Sequence, residues 1–405
     1  MPKIAFYTLG CRSNQYETDK MVEQARSLGY DVIPYPQSAD IYVINTCTVT
    51  RNADKKSRHA IRFAKKINPN AKVIATGCYV ETDIFDLKEV DVVLNNKDKT
   101  NIFKCLPKIK SQASRLKSPR IRANLMIENG CENFCSYCIV PFVRGKVTSK
   151  PLDQAISEAK QMVKDGVKEI ILTGINLGEF DSLPTLIDKL SKIDDLLRIR
   201  LSSIEPMYIT DELIKAVKDD PKVCRHLHIP MQSGDDRILK AMNRSYTSKD
   251  FSGMAKKIKE QIKDIAITTD IIVGFPGEDE KAFKNTLKLV DMIQFSRIHI
   301  FSYSDRPGTA AFNFKNKLDP KTITRRYEKL EQLRDKYMLR FHRSFKKKPM
   351  EVLIEQKDRK TGLYEGLTSN YIRVFIRGNE SIGQLVDVKF ESFQGENVIA
   401  TPVLV

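Results

Sequence analysis

The sequence predicts a multidomain α/β protein with a small all-β domain at its carboxyl end. A chain of 405 residues is longer than one compact core usually allows. Short apolar runs alternate with helical patterns in two successive series, which is typical of parallel sheets. After about residue 349 the pattern changes, and apolar and polar residues alternate between Gly-containing turns.

The first series predicts a parallel, doubly wound sheet, which we assign to a domain of residues 1–110. Helical stretches at Tyr16–Leu28 and Ala53–Ile67 separate its short apolar runs, as in β-α units. The predicted strands are Lys3–Leu9, Asp31–Pro34, Ile41–Asn45, Lys72–Thr76 and Val90–Leu94.

A basic stretch precedes the second series. Residues 104–122 contain seven Lys or Arg, two Pro and no acid, which indicates a linker, either a plain connection or one that also binds a polyanion. Six strands with intervening helices then predict a partial TIM-like (β/α)6 barrel over residues 120–345. Its strands are Asn124–Glu128, Glu169–Leu172, Ile199–Ser203, Leu227–Pro230, Ile267–Val273 and Arg297–Tyr303.

The last region, residues 346–405, predicts a small antiparallel β-barrel. A long helix over residues 321–345 precedes it, because apolar side chains recur there at helical spacing. Runs that alternate apolar and polar residues follow at Val352–Glu355, Tyr371–Ile376 and Val386–Phe390. Small barrels of this OB-like kind bind oligonucleotides.

The charge indicates a polyanionic partner. The net charge is +17, and residues 321–348 hold 11 Lys or Arg against 3 acids. Contacts from Lys and Arg to phosphate supply most non-specific affinity for nucleic acid. A solvated basic surface with no partner is the alternative.

The sequence also predicts a cytoplasmic protein with no membrane partner. No apolar run approaches the roughly 20 residues that span a bilayer, and the amino terminus lacks the pattern of a secretory signal. In the cytoplasm the 8 cysteines would stay reduced unless a metal binds them.

Cys131, Cys135 and Cys138 carry the strongest signal. Three thiolates within eight residues, directly after the first predicted barrel strand, can surround one compact metal centre. A closed zinc site or a closed four-iron cluster takes four ligands, so three leave one coordination position open, as catalysis at a metal requires. The alternative is a zinc site completed by His226 or His228.

Three more cysteines follow strands of the first domain. Cys11 comes after the first strand, Cys47 after the third and Cys78 after the fourth. In a flavodoxin-like sheet of order 2-1-3-4-5 these strands are neighbours, and their carboxyl ends line the topological switch point where such folds bind ligands. We therefore expect the three cysteines to converge, although buried cysteines often serve only as small apolar residues.

The CxxxCxxC spacing after the first barrel strand resembles the radical S-adenosylmethionine superfamily. The resemblance implies that Cys131, Cys135 and Cys138 hold three irons of a 4Fe-4S cluster whose open iron binds S-adenosylmethionine. An electron from the cluster then cleaves the sulfonium to a 5′-deoxyadenosyl radical. Tyr137 matches the aromatic position that lies near the adenine in that superfamily.

Both trios together resemble the methylthiotransferase family over essentially the whole chain. The matching blocks are TLGCRSNQYET, NTCTVT, GCY, CENFCSYCIVPFVRGK, LTGINLG, RIRLSSIEP, HLHIPMQSG, TTDIIVGFPGE and FSYSDRPGTAA. The resemblance implies a second 4Fe-4S cluster on Cys11, Cys47 and Cys78, a radical barrel and a carboxyl-terminal TRAM domain that binds RNA. It also implies that Cys131, Cys135 and Cys138 are the catalytic set.

Further cofactor contacts are predicted at the ends of barrel strands. For Glu205, Gln232 and Gly274, turn formation or barrel packing is an equally good explanation. The candidates are Gly174, Asn176, Glu205, Gln232 and Gly274. Arg144 could balance charge near the cluster or contact phosphate. We expect His226 and His228 to form interior hydrogen bonds, and Cys105 and Cys224 to be structural.

Within the family, NTCTVT and NQYET resemble the branch that acts on N6-threonylcarbamoyladenosine in tRNA. The implied reaction adds sulfur and a methyl group at carbon 2 of that base, in the anticodon stem-loop. An electron donor such as flavodoxin or ferredoxin would be needed, and the sulfur donor is unknown. The alternatives are isopentenyladenosine in tRNA, a ribosomal-protein aspartate, and a non-catalytic iron–sulfur protein that binds RNA.

Overall fold

The computed structural model describes residues 1–82, 84–106 and 120–403, so most of the predicted basic linker lies outside the described residues. The described chain forms two compact units. Unit 1 contains the amino-terminal region together with Asn129–Thr148 and Ser304–Asn313, and unit 2 contains the rest. The segment with Cys131, Cys135 and Cys138 therefore belongs to the same unit as the amino-terminal sheet.

Unit 1 is built on a parallel five-stranded sheet. Its strands are β1 (Lys3–Thr8), β2 (Asp31–Pro34), β3 (Ile41–Thr46), β4 (Lys72–Gly77) and β5 (Val92–Leu94). Their order is β2-β1-β3-β4-β5, and β1, β3 and β4 are neighbours as predicted. The helices of this unit are α1 (Arg12–Ser27), α2 (Arg51–Ile67) and the short α3 (Val140–Arg144).

Apolar residues explain why this sheet is central. Strand β3 is buried along its whole length, and a strand buried on both faces carries a nearly continuous apolar run. Helix α2 packs a stripe of Ala60, Ile61 and Ala64 onto the sheet. Short 3-10 turns at Tyr79–Glu81, Asn96–Cys105 and Ala310–Asn313 complete the unit.

Unit 2 contains six parallel barrel strands in two three-stranded sheets. They are β6 (Arg122–Met126), β9 (Glu169–Thr173), β10 (Arg198–Leu201), β11 (His226–His228), β12 (Ala266–Val273) and β13 (Arg297–Ser302). The sheets are ordered β10-β9-β6 and β11-β12-β13, and a parallel bridge between Ser203 and His228 connects them. The short strands β7 (Glu128–Asn129) and β8 (Thr148–Ser149) stand where the chain passes between units.

Helices alternate with these strands, as the second series predicts. They are α4 (Leu152–Lys164), α5 (Leu183–Ser191), α6 (Asp211–Asp219), α7 (Asp236–Ala241), α8 (Ser248–Gln261) and α9 (Glu280–Ile293), with 3-10 turns at Leu177–Glu179 and Pro206–Tyr208. Apolar faces of the helices and strands form one continuous core. No helix in the described part of the chain is long and apolar enough to cross a membrane.

A long helix, α10 (Pro320–Arg343), leads to a closed five-stranded barrel. Its strands are β14 (Met350–Lys357), β15 (Tyr364–Thr368), β16 (Arg373–Ile376), β17 (Leu385–Gln394) and β18 (Asn397–Pro402). They are ordered β14-β15-β16-β18-β17. Strands β16 and β18 pair in parallel, so the expectation of a wholly antiparallel barrel is wrong at this pair. The reason is that β17 pairs with β14 across the barrel, and the chain then returns to lie beside β16.

A buried ion network joins this small barrel to the β10-β9-β6 sheet within unit 2. Glu169 is fully buried and accepts hydrogen bonds from Arg200 (Nε, 2.7 Å) and Arg122 (Nε, 2.8 Å). Arg122 also donates to Glu355 of the small barrel at 3.1 Å. Arg198 donates to the backbone oxygen of Leu367 at 2.6 Å. These charge-assisted bonds fix the small barrel against the sheet.

Candidate functional site

The structure brings Cys11, Cys47 and Cys78 together at the carboxyl edge of the unit 1 sheet. Cys11 is the N-cap of α1, directly after the loop that follows β1. Burial, with smaller contributions from nearby Cys78 and Cys11, raises the pKa of Cys47 to about 12. A Cβ on Gly10 would lie 2.8 Å from the sulfur of Cys47, so glycine keeps the first loop close to the second.

Polar side chains of the surrounding motifs hold the loops in place. Asn14 donates to the backbone oxygen of Thr46 at 2.9 Å. Thr48 donates to Asp54 at 2.6 Å, and Asp54 pairs with Arg306, also at 2.6 Å. Arg306 donates to the backbone oxygen of Thr48 at 2.7 Å as well. The residues after Cys47 therefore position that cysteine through a buried network.

Cys11, Cys47 and Cys78 are called the first trio. The second trio, Cys131, Cys135 and Cys138, lies in the same unit. The backbone N–H of Cys138 donates to the oxygen of Cys135 at 2.9 Å, and that of Cys131 to Gly145 at 3.2 Å, so the segment forms a compact loop. Cys78 packs against Ile139 and Val143, directly beyond Cys138 in sequence. Tyr137 is half-buried within the loop. Unit 1 alone therefore contains all six predicted cysteine ligands.

Arg144 supplies positive charge beside the first trio. Its guanidinium is buried, bonds to Asn14, and forms an ion pair with Glu17 at 2.8 Å, while Lys99 bonds to the other oxygen of Glu17. Burial raises the pKa of Cys78, whereas the charge of Arg144 and a hydrogen bond from it lower that pKa. The burial of Arg144 supports the charge-balancing alternative over a phosphate contact.

The cysteines suit a multi-iron cluster better than a single ion. Within the described residues, neither trio brings its three sulfur atoms within 4.8 Å of one another. Irons at separate corners of a four-iron cluster hold their thiolates further apart than one ion does. The raised pKa values of Cys47 and Cys78 mean that cluster binding must displace protons from both thiols.

In unit 2, Gly174 and Asn176 surround a buried carboxylate. The backbone N–H of Asn176 donates to Glu128 at 2.8 Å, and a Cβ on Gly174 would lie 2.5 Å from the same oxygen. Asn176 Nδ2 donates to Glu179 at 2.9 Å. Its Oδ1 is buried and has no hydrogen-bond partner among the residues that the structure describes. A free buried acceptor fits a ligand that carries a donor such as an ammonium group.

The other three candidates have well-defined surroundings. Glu205 is bound by both terminal nitrogens of Arg244, so its carboxylate is already paired. Gln232 has a φ of +61°, a left-handed conformation that a non-glycine residue adopts at some cost and that often marks functional sites. A Cβ on Gly274 would lie 2.5 Å from Ile323, so packing requires glycine there.

Both His226 and His228 hydrogen-bond to Thr268, at 3.0 and 2.9 Å, which confirms interior hydrogen bonding. Cys224 is buried and Cys105 is half-buried, as structural cysteines can be.

Two groupings were not predicted from the sequence. Phe134 and Phe142 are more than half exposed, and their ring centres lie 5.9 Å apart, beside the cysteines of the second trio. Their position in the segment CENFCSYCIVPF, next to the cysteines, could have indicated this aromatic pair from the sequence. His228, Asp270 and His299 converge from three strands, and no motif joins them.

Two family models match the chain. Residues 126–290 match the radical SAM superfamily, and residues 3–96 match an uncharacterized protein family, UPF0004. These ranges contain the second and the first cysteine trio, respectively.

Curated relatives match over nearly the full length. The chain is 37% identical to the threonylcarbamoyladenosine tRNA methylthiotransferase MtaB of Aquifex aeolicus (95% of this chain, 99% of the relative). It is 35% identical to MtaB of Bacillus subtilis (96% and 94%). It is also 34% identical to a tRNA-2-methylthio-N(6)-dimethylallyladenosine synthase of Endomicrobium trichonymphae (95% and 96%).

A solved structure shares the fold. The radical S-adenosylmethionine methyltransferase TsrM from Kitasatospora setae has a TM-score of 0.56 at 13% identity, over 74% of this chain and 73% of that one. At this identity the likeness concerns the α/β fold with its parallel sheets.

Proposed function

This chain belongs to the radical S-adenosylmethionine methylthiotransferase family, and we propose that it adds a methylthio group to carbon 2 of N6-threonylcarbamoyladenosine, next to the anticodon of tRNA. The observation that carries the proposal is the presence of two three-cysteine sets in one compact unit. A radical generator alone needs one such set. A second set supports the presence of a second cluster that would supply the sulfur.

We assign one 4Fe-4S cluster to Cys131, Cys135 and Cys138, and another to Cys11, Cys47 and Cys78. When bound, the clusters and S-adenosylmethionine supply the radical, the sulfur and the methyl group, which side chains of the protein cannot supply. Three thiolates per cluster leave one iron open in each. An electron donor such as flavodoxin or ferredoxin would reduce the radical-generating cluster.

The chain's own residues would position these groups and balance their charge. Buried Arg144 offsets negative charge beside Cys78, where an unpaired charge would be costly. The free Oδ1 of Asn176 supports binding of the amino group of S-adenosylmethionine. Glu205, Gln232 and Gly274 are the candidates in unit 2 for further contacts to S-adenosylmethionine. In unit 1, Tyr137 is the candidate for a contact to its adenine.

Charge and architecture support an RNA substrate. The closed barrel after α10 supports an OB-like TRAM domain over residues 346–405, beside the basic helix. The strand order of unit 1 supports a flavodoxin-like domain over residues 1–110, and residues 120–345 would form the radical core. The exposed rings of Phe134 and Phe142 could stack on unpaired bases. A tRNA substrate would place the enzyme in the cytoplasm.

The test is an anaerobic reconstitution followed by an assay on defined tRNAs. We expect about eight irons per chain, and about four in a Cys131/Cys135/Cys138→Ala variant. The half-buried Cys105 offers a matched control, and Cys105→Ser should retain the wild-type iron content. A wild-type enzyme with only one cluster would refute the sulfur-insertion mechanism.

The substrate is tested separately, because relatives named for both threonylcarbamoyl and dimethylallyl tRNA have similar identities. We expect 2-methylthio product, detected by mass spectrometry, from tRNA that carries the threonylcarbamoyl group. Equal activity on isopentenyl tRNA, or activity on a ribosomal protein only, would refute the substrate assignment.

A further inference from the structure

Three side chains on neighbouring strands of unit 2 meet on one face of the sheet. His228 ends β11, Asp270 lies in β12 and His299 in β13. In the strand register, Asp270 is opposite His299, and His228 is opposite Thr268, two residues before Asp270. Side chains two apart on a strand point to the same face, so the register alone brings the three together.

We propose that His228, Asp270 and His299 bind a mononuclear divalent transition-metal ion, in addition to the iron–sulfur clusters. The donor set of two imidazoles and one carboxylate is one that such ions prefer. None of the sequence motifs or family matches includes this triad as a group, and the proposal does not depend on the substrate of the enzyme.

The distances suit a shared ion. Nε2 of His228 and Nδ1 of His299 each lie 3.2 Å from Oδ1 of Asp270. Two donors about 2.1 Å from one ion are about 3.0 Å apart at a right angle and about 3.4 Å apart at a tetrahedral angle. The observed separations fall in that range, and all three ligand atoms lie within 4.8 Å of one another.

A second layer of contacts orients His228. Its Nδ1 lies 2.9 Å from the hydroxyl of Thr268, and that hydroxyl is also 3.0 Å from Nε2 of His226. Metal-binding histidines commonly donate their second N–H to such an acceptor, which leaves the lone pair of the other nitrogen for the ion. Metal binding through Nε2 of His228 requires its Nδ1–H to donate to Thr268, and the 2.9 Å contact allows that role.

Charge and access are also favourable. Asp270 contributes a carboxylate, whose negative charge offsets part of the charge of a divalent ion. The side chain of His299 is 42% exposed, so an ion can reach the triad from solvent. Three protein ligands leave at least one coordination position for water or an oxygen donor of a small molecule.

Zinc is the probe for the test, because it is redox-inactive and its X-ray absorption edge is separate from that of iron. The reconstituted holoenzyme, with its cysteines occupied by iron, is dialysed against Zn²⁺ and the bound zinc is counted. We expect one zinc per chain in the wild type and none in His299→Ala. The exposed His59 of α2 offers a matched control, and His59→Ala should bind as the wild type does.

Two further readouts separate metal binding from a structural role. Thr268→Val keeps the side-chain volume and removes only the hydroxyl, so zinc affinity should fall about 10- to 100-fold. The zinc X-ray absorption spectrum should contain nitrogen and oxygen ligands alone. Sulfur ligation, or equal zinc binding by the wild type and His299→Ala, would overturn the proposal.

Discussion

The buried carboxylate of Glu169 offers the sharpest test of how the small barrel is attached. Glu169 has no exposed surface, and its two oxygens accept bonds from Arg200 at 2.7 and 3.3 Å and from Arg122 at 2.8 Å. The substitution Glu169→Gln keeps the shape and removes the charge. The buried guanidinium of Arg200 then loses its carboxylate partner, and Arg122 keeps only Glu355.

The expected cost follows from the pKa. Although burial raises the pKa of Glu169, Arg200 and Arg122 lower it from 4.5 to about 2. At about 1.4 kcal/mol per pKa unit, this difference corresponds to about 3 kcal/mol. Breaking a buried ion pair by removing one partner typically costs about 3–5 kcal/mol, which agrees. For a unit of this size we expect the melting temperature to fall by about 6 °C or more.

The assay is thermal unfolding followed by far-UV circular dichroism at pH 7. Glu396→Gln is the matched control, because Glu396 also pairs with an arginine, Arg297 at 2.8 Å, but is about half exposed. Loss of the Glu396 charge should lower the free energy of unfolding by less than about 1 kcal/mol. Because the pKa of Glu169 is lowered, its contribution is present above about pH 4.5 and disappears as the pH falls through about 2. Equal melting temperatures for the two variants would refute the reasoning.

Three further predictions concern the site and the pH dependence of stability. Gly10→Ala places a Cβ 2.8 Å from the sulfur of Cys47 at a φ of +95°, so iron should fall from about eight to about four per chain. Phe142→Ala removes an exposed ring, and binding of an anticodon stem-loop RNA should weaken about tenfold in a gel-shift assay. Burial lowers the pKa of His342 to about 4, so stability should fall by about 3 kcal/mol as the pH drops from about 6.5 to 4, measured by urea unfolding.

Each of these has a control and a contradicting outcome. Gly253→Ala adds a Cβ with nothing within 4 Å and should leave the iron count unchanged. Met292→Ala removes an exposed apolar side chain from α9 and should not alter RNA affinity. A variant His342→Leu should lose most of the acid sensitivity. Full iron content in Gly10→Ala, unchanged RNA affinity in Phe142→Ala, or an unchanged pH profile in His342→Leu would contradict the respective argument.

The strands of both parallel sheets were predictable because buried strands are compact apolar runs between helices. The prediction Asp31–Pro34 matches β2, and Ile267–Val273 falls within β12. In the small barrel, β15 and β18 were missed. Strand β15 contains a glycine whose Cβ would collide with a neighbouring strand, so its sequence lacks a strong β signal. The parallel pairing of β18 depends on a closure that no local pattern encodes.

The convergence of the first trio could be predicted because cysteines stand at the ends of strands whose order follows a common rule. The ion pairs around these cysteines could not be predicted from the sequence. Arg144 and Glu17 are 127 residues apart, and Arg306 and Asp54 are 252 apart, so only the folded chain reveals these pairs. Buried ion pairs of this kind are individually costly to desolvate, and sequence patterning gives no sign of which charges will be paired.

Both cysteine trios belong to unit 1, so the two clusters should depend on the same local packing during assembly. The chain runs from Cys138 directly into α3, where Ile139 and Val143 pack on Cys78 and Arg144 bonds to Glu17. The loop that would hold the radical-generating cluster therefore also forms part of the wall around the other cysteines. Because removal of one buried partner leaves an uncompensated charge, a disturbed α3 should affect both cluster sites. The order of the two sets along the chain gives no sign that both sites depend on α3. The dependence follows from the packing of Ile139 and Val143 on Cys78.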